Sequence, residues 1–70
     1  MSEALKLISS RRLHSDESWI IMLLGDRPAL GIKTHMMGGS TYQTFCQLTE
    51  EEAKLLIIEG KARDTFGLFQ

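Results

Sequence analysis

The segment with the most consistent local signals is Leu48-Thr49-Glu50-Glu51-Glu52-Ala53-Lys54-Leu55-Leu56-Ile57-Ile58-Glu59-Gly60. Thr49 is a good N-cap, because its hydroxyl accepts a free backbone N–H of the first turn. Glu52, three residues later, completes a capping box, and the glutamate run places negative charge at the positive end of the helix dipole. Gly60 is typical of a left-handed C-terminal cap. We therefore predict a helix over residues 49–60, against which the rest of the chain packs.

This helix carries apolar residues on two faces. At about 100° per residue, Ala53, Leu56 and Ile57 share the usual core-facing stripe. Leu55 and Ile58 lie on roughly the opposite side, and one sheet covers only one face. Either the apolar residues of the C-terminal tail cover the second face, or another subunit does. We expect another subunit, because large apolar side chains are seldom left together on a solvent face. The apolar residues of the tail are Phe66, Leu68 and Phe69.

The length of 70 residues suits a single domain. A chain this short is marginally stable unless something is added. Cys46 is the only cysteine, so no disulfide forms within the chain, and with His14 and His35 it does not complete a four-ligand zinc site. Association between copies is the remaining common source of stability, so we predict a homodimer or higher oligomer.

The charge and hydropathy patterns limit the classes of partner that we expect. The net charge is −1, and no block is basic enough for a sequence-independent grip on nucleic acid. The longest apolar run, Trp19–Leu24, is far shorter than a membrane span and has no basic leader, so we expect no secretion signal. We expect neither a nucleic-acid nor a membrane partner. The lone cysteine favours a reducing, cytoplasmic setting.

The remaining pattern predicts an α+β fold, in which a small antiparallel meander packs against the C-terminal helix. The predicted strands, three to four in number, are residues 3–9, 18–25, 29–36 and 41–47. Residues 9–18 and 25–28 read as a loop and a turn, and residues 62–70 as a short strand or an extended tail. The Trp19–Leu24 run suits a central strand covered on both faces. Its second face would again need a partner subunit. Gly31, in mid-strand, indicates a bulge or a close approach.

The most site-like segment surrounds Gly38 and Gly39. Two glycines let a backbone approach a ligand, and neighbouring hydroxyls, positive charge and an aromatic ring would complete a cradle for an anion such as a nucleotide. A hairpin turn uses the same residues and is the commoner explanation. The candidate ligand-binding residues here are Lys33, His35, Gly38, Gly39, Ser40, Thr41 and Tyr42.

A second cluster consists of Arg11, Arg12 and His14. The arginines would pair with a partner's acidic groups or with phosphates, and the alternative is a solvated loop. Trp19 is either a core residue or an interface anchor. The candidate interface residues are Trp19, Leu55, Ile58, Phe66 and Phe69.

No catalytic motif or chelating spacing occurs, so we expect no enzyme, no cofactor and no metal site. Two hypotheses remain. The first is a non-catalytic interaction protein that binds and inhibits or adapts a larger protein. The second is an oligomer that sequesters a small anionic ligand. In size and lack of catalytic motifs the chain is similar, in a general way, to small accessory proteins of phages such as inhibitors of host defence, although no motif carries this likeness.

Overall fold

The computed structural model describes residues 3–69, which form two helices and one three-stranded sheet. The elements in chain order are α1 (Glu3–Ser10), β1 (Glu17–Leu24), β2 (Arg27–Met36), β3 (Gly39–Gln47) and α2 (Glu50–Ile58). The strands are antiparallel in the order β1-β2-β3. The predicted α+β fold, a meander with a C-terminal helix, is confirmed.

Both ends of α2 are fixed by hydrogen bonds. The N–H of Glu52 donates to the hydroxyl oxygen of Thr49 at 3.1 Å, and the N–H of Thr49 donates to Oε1 of Glu52 at 3.1 Å. At the other end Gly60 has φ 73°, and the N–H of Lys61 donates to the carbonyl of Leu56 at 2.9 Å, as in a Schellman cap. The predicted caps are confirmed, and the regular helix between them is slightly shorter than residues 49–60.

The core lies between the sheet and the two helices, which share one face of the sheet. The predicted core stripe of α2 contributes Ala53 and Leu56, both fully or almost fully buried. Burying a leucine side chain stabilises a fold by about 1.5–3 kcal/mol. The buried apolar residues of this core are Ala4, Trp19, Ile21, Leu30, Ile32, Leu48, Ala53, Leu56 and Ala62.

The N-terminal segment corrects the prediction of a strand over residues 3–9, because it forms helix α1. Its apolar residues Ala4, Leu5, Leu7 and Ile8 pack against the core. Their spacing places all four on one side of a helix. Over so few residues the alternation of Leu5 and Leu7 also fits the two-residue repeat of a strand. That repeat predicts a strand, whereas the chain forms a helix here.

Strand β1 lies at an edge of the sheet and β2 at its centre. The prediction of a central strand for the Trp19–Leu24 run is therefore wrong. Both faces of this strand are nevertheless covered by residues of the same chain. Ile20 and Ile21 point to opposite faces, and both are fully buried. The middle of β1 needs no partner subunit to cover it.

The turn between β1 and β2 is shorter than predicted. It consists of Gly25 and Asp26, and Gly25 has φ 69°. Arg27 and Pro28, predicted to lie in the turn, are the first residues of β2. Pro28 is tolerated near the start of a strand, and its carbonyl accepts the N–H of Leu48 at 2.9 Å.

Gly31 marks both a bulge and a close approach, as predicted. The register of β2 and β3 shifts between Leu30 and Gly31, so that Phe45 is the extra residue of β3. The bulge lets Phe45 and Cys46 both pack against the core. On the other face, Met22 Sδ occupies the place that a Cβ on Gly31 would take.

The tail docks, as predicted. The tail pairs with β1 through a single parallel bridge between Arg63 and Ile20. In this bridge the N–H of Arg63 donates to the carbonyl of Trp19 at 3.0 Å. The carboxylate of Asp64 then accepts the N–H groups of Leu68 and Phe69 at 2.7 and 2.9 Å. These bonds fold the tail into a tight turn beside β1. The end of the predicted segment, Gln70, lies outside the described residues.

Candidate functional site

The loop between β2 and β3 is a tight hairpin turn. Met36 pairs with Gly39, and Met37 and Gly38 form the turn between them. Gly38 has φ 91° and Gly39 φ 152°, and a Cβ on either residue would meet nothing within 4 Å. The two glycines therefore meet the conformational demand of the turn, and close packing does not require them.

Four of the predicted ligand residues lie on one face of this hairpin. Lys33 pairs with Tyr42, and His35 pairs with Ser40 two residues further along each strand, so their side chains share one face. Lys33 Nζ lies 6.0 Å from the centroid of the Tyr42 ring, and Ser40 Oγ lies 3.3 Å from His35 Nδ1. Thr41 points to the opposite face, since strand residues alternate.

A further ring joins this face from the tail. The rings of Tyr42 and Phe66 have centroids 5.6 Å apart and planes inclined at 47°. Tyr42 is 44% exposed and Phe66 50% exposed. Phe66 was predicted to lie at an oligomer interface, and its contact with Tyr42 had no local sequence signal. We name Tyr42, Phe66 and Lys33 together the aromatic platform.

The aromatic platform lies on the face of the sheet away from both helices, because Lys33 and Gly31 alternate with the core residue Ile32. In the three strands, the outward positions of this face carry the basic side chains of Arg27 and Lys33 and the imidazole of His35, and no carboxylate. Four acidic residues instead lie on or beside α2, across the sheet: Glu50, Glu51, Glu52 and Glu59. Lys54 and Lys61 lie on or just after the same helix, so the helix side carries both signs of charge, whereas the strand positions around the aromatic platform carry only positive charge.

The structure places Arg11 away from the aromatic platform. Its Nη2 lies 2.9 Å from Oε2 of Glu17, and its guanidinium lies 5.3 Å from the centroid of the Phe45 ring. Phe45 packs edge-on against Trp19 on the helix side of the sheet. Arg11 therefore stabilises this side of the fold and does not add charge near Tyr42.

The carboxylate of Glu17 also fixes the loop before β1. Its Oε1 accepts the backbone N–H of His14 at 2.9 Å. This hydrogen bond, and then the charge of Arg11, lower the pKa of Glu17 against the opposing effect of burial. Arg12 and His14 are exposed, so the predicted basic cluster divides into one structural arginine and two surface residues.

Cys46 is half-buried at the bulge. Burial raises the pKa of its thiol, and the carboxylates of Glu3 and Glu52 raise it further. The thiol therefore stays protonated at neutral pH and packs as a small apolar group. Within residues 3–69, no three His, Cys, Asp or Glu side chains lie close enough to hold a metal ion.

A shallow groove of about 300 Å³ lies at the opposite end of the sheet from the hairpin turn. It contains Arg27 between the acidic residues Asp26 and Glu50, and the hydroxyl of Thr49 is already engaged in the helix cap. These charges offset one another, so the groove favours neither an anionic nor a cationic ligand. Its lining residues are Asp26, Arg27, Pro28, Leu48, Thr49 and Glu50.

The second face of α2 is uncovered in the single chain. Leu55 is 48% exposed and Ile58 is 80% exposed. The alternative that the tail covers this face is wrong, because both side chains stay exposed with the tail docked. Phe66 contacts Tyr42 on the other face of the sheet, and Phe69 packs against the core with its ring near Lys54 at the edge of this face. Trp19 is only 7% exposed and lies in the core.

The chain was also compared as a whole with known proteins. No protein family model, no curated protein and no solved structure matches it. Within the described part of the chain, neither helix is long and apolar enough to cross a membrane.

Proposed function

We propose that this chain is a small non-catalytic interaction protein, which self-associates and binds a larger protein that it inhibits or adapts. The observation that carries the proposal is the exposure of Leu55 and Ile58 on α2. They lie three residues apart, so they are neighbours on the helix surface. We name this pair the α2 outer face.

The surroundings of the α2 outer face support an interface. Glu51, Lys54 and Glu59 are exposed beside it and would form a charged rim around an apolar centre. Protein interfaces commonly have this arrangement, with charged residues depleted at the centre and retained at the rim.

The size of the α2 outer face indicates how strong the association is. Covering the exposed parts of Leu55 and Ile58 contributes roughly 2–4 kcal/mol per copy, given about 1.5–3 kcal/mol for a fully buried side chain. Association costs about 4–15 kcal/mol in lost freedom. Self-association through these two residues alone is therefore weak, and a larger protein with further contacts would bind more tightly.

The non-catalytic part of the proposal is supported by the state of the reactive groups. The Cys46 thiol is half-buried with a raised pKa, and the Asp64 carboxylate is used in two backbone hydrogen bonds.

Cys46 is also the only cysteine, which favours a reducing, cytoplasmic setting.

Sedimentation equilibrium over a wide concentration range tests the self-association. We expect the average mass to rise above 7.9 kDa with concentration, and the Leu55→Ser/Ile58→Ser double variant to stay monomeric. Leu24→Ser is the matched control, because Leu24 is an exposed leucine on the other face of the sheet. A wild-type chain that is monomeric at millimolar concentration would refute the self-association.

The larger partner is tested by affinity purification from the source cell with quantitative mass spectrometry. We expect at least one protein to be retained by the wild type and by Leu24→Ser, and to be lost with the double variant. Equal retention by all three chains would show that the α2 outer face does not bind it.

A further inference from the structure

The aromatic platform combines two half-exposed rings from distant parts of the chain. Tyr42 comes from β3 and Phe66 from the tail, and their centroids lie 5.6 Å apart. The other aromatic side chains among residues 3–69 are more deeply placed: Trp19 is buried, and Phe45 and Phe69 are partly buried against the core. The fold therefore exposes aromatic surface at this one pair.

The geometry of the pair leaves ring surface open. Planes inclined at 47° are neither stacked face to face nor edge-on, so neither ring covers the other. The floor beside them is shallow, because Gly31 has no side chain and Met22 extends across it, where Thr44 donates a hydrogen bond to Met22 Sδ at 3.5 Å. Gly31 itself is buried beneath Met22, so a flat group would rest on the Met22 thioether and the exposed face of Tyr42.

The strand residues beside the rings carry positive charge and no carboxylate. Lys33 Nζ lies 6.0 Å from the Tyr42 centroid, and His35 follows on the same face towards the turn, where it meets Ser40. No outward residue of the three strands is acidic. An anionic group attached to a ring stacked on Tyr42 would lie next to the Lys33 ammonium.

We propose that the aromatic platform binds a nucleoside phosphate, with the base stacked on Tyr42 and Phe66 and a phosphate paired with Lys33. Bases stack on aromatic side chains irrespective of sequence, because every base has a π-face. One ring pair and one lysine match a single nucleotide. The site lies across the sheet from the α2 outer face, so it is independent of the proposed protein interface.

Titration of the isotope-labelled protein, followed by amide chemical shifts, tests the proposal. The probes are ADP, adenosine, pyrophosphate and a short adenylate oligonucleotide. We expect ADP to shift the amides of Lys33, Tyr42 and Phe66 while those of α2 stay in place. Adenosine and pyrophosphate should each bind more weakly than ADP, since each lacks one half of the ligand.

Variants separate stacking from charge. We expect Tyr42→Ala and Phe66→Ala each to weaken ADP binding by about tenfold, and Tyr42→Phe to retain it. Lys33→Met should weaken binding and flatten its salt dependence. Lys54→Met is the matched control, because Lys54 lies at a similar distance, 5.9 Å, from the ring of Phe69 on the helix side.

The outcomes distinguish the sources of the ligand and can overturn the proposal. Much tighter binding of the oligonucleotide than of ADP, at the same residues, would keep the base-and-phosphate chemistry and identify a single strand as its source. The proposal is overturned if neither ADP nor the oligonucleotide shifts these amides, or if pyrophosphate binds as tightly as ADP. It is also overturned if Tyr42→Ala leaves the affinity for ADP unchanged. Tyr42→Ala removes the ring contact with Phe66 but none of the hydrogen bonds that fold the tail, so it remains decisive even where Phe66→Ala loosens the tail.

Discussion

Gly31→Ala is the substitution whose effect follows most directly from the packing of the sheet. A Cβ at this position would lie 2.7 Å from the carbonyl oxygen of Gln43 and would overlap Met22 Sδ. The methionine is flexible and can swing away, although it then leaves its contact with Thr44. The Gln43 oxygen belongs to the backbone of β3, so it moves only if the paired strands separate.

The expected cost is large for so small a chain. Overpacking a methyl group costs about 1–3 kcal/mol, and the backbone contact places Gly31→Ala in the upper part of that range. A domain of this size has roughly 3.5–10 kcal/mol of stability at about 0.05–0.15 kcal/mol per residue. At about 4–8 °C per kcal/mol, we expect a fall in melting temperature of roughly 10–20 °C.

Urea denaturation of a double-mutant cycle with Met22→Ala measures the cause. Removing the Met22 side chain opens space for the new methyl, so the double variant should lose less stability than the two single variants together, by about 1 kcal/mol. Met37→Ala, in the exposed turn, is the control and should be additive with Gly31→Ala. A Gly31→Ala chain as stable as the wild type would refute the close approach, and additivity with Met22→Ala would refute the part played by Met22.

Two further predictions concern the ends of the elements. Thr49→Ala should lower the free energy of unfolding by about 1 kcal/mol, because it removes the cap of α2; urea denaturation measures this, and an effect no larger than that of Thr65→Ala, at an exposed tail position, would contradict it. Glu17 has a lowered pKa in the folded chain, so its contribution to stability is present above its unfolded pKa and is lost as pH falls through the folded one. Glu17→Gln should therefore cost stability at neutral pH, and this cost should shrink as pH falls and the folded carboxylate becomes protonated; urea midpoints across pH check this, with Glu51→Gln as the control, and a cost independent of pH would exclude the ionised carboxylate as its origin.

The sequence predicted elements where the signal was local. Helix α2 carries its own caps, and β3 carries β-branched and aromatic residues, so both were found. Helix α1 was missed, because its apolar positions span too few residues to distinguish a helical repeat from the alternation of a strand. The central place of β2 was also missed, since an apolar run such as Trp19–Leu24 does not reveal whether a strand or the tail covers it.

The same distinction holds for the aromatic platform. Lys33, His35, Ser40 and Tyr42 are close in sequence, and strand alternation alone brings them to one face. Phe66 reaches Tyr42 only because Arg63 pairs with β1 and the Asp64 carboxylate folds the following residues. That path depends on where α2 ends in space, which no residue pattern near Phe66 encodes.

The bulge at Phe45 also bears on how the sheet meets other chains. Strand β3 is an edge strand, and its outward backbone groups are a template for strand addition. An inserted residue bends the strand and increases its local twist, so a straight incoming strand would keep register only along residues 39–43. In that stretch the ring of Tyr42 already contacts Phe66, and its neighbours are glycine, serine, threonine and glutamine, which bury little apolar surface on pairing. The distortion that lets Phe45 and Cys46 both enter the core therefore also shortens the stretch of β3 along which another strand can add.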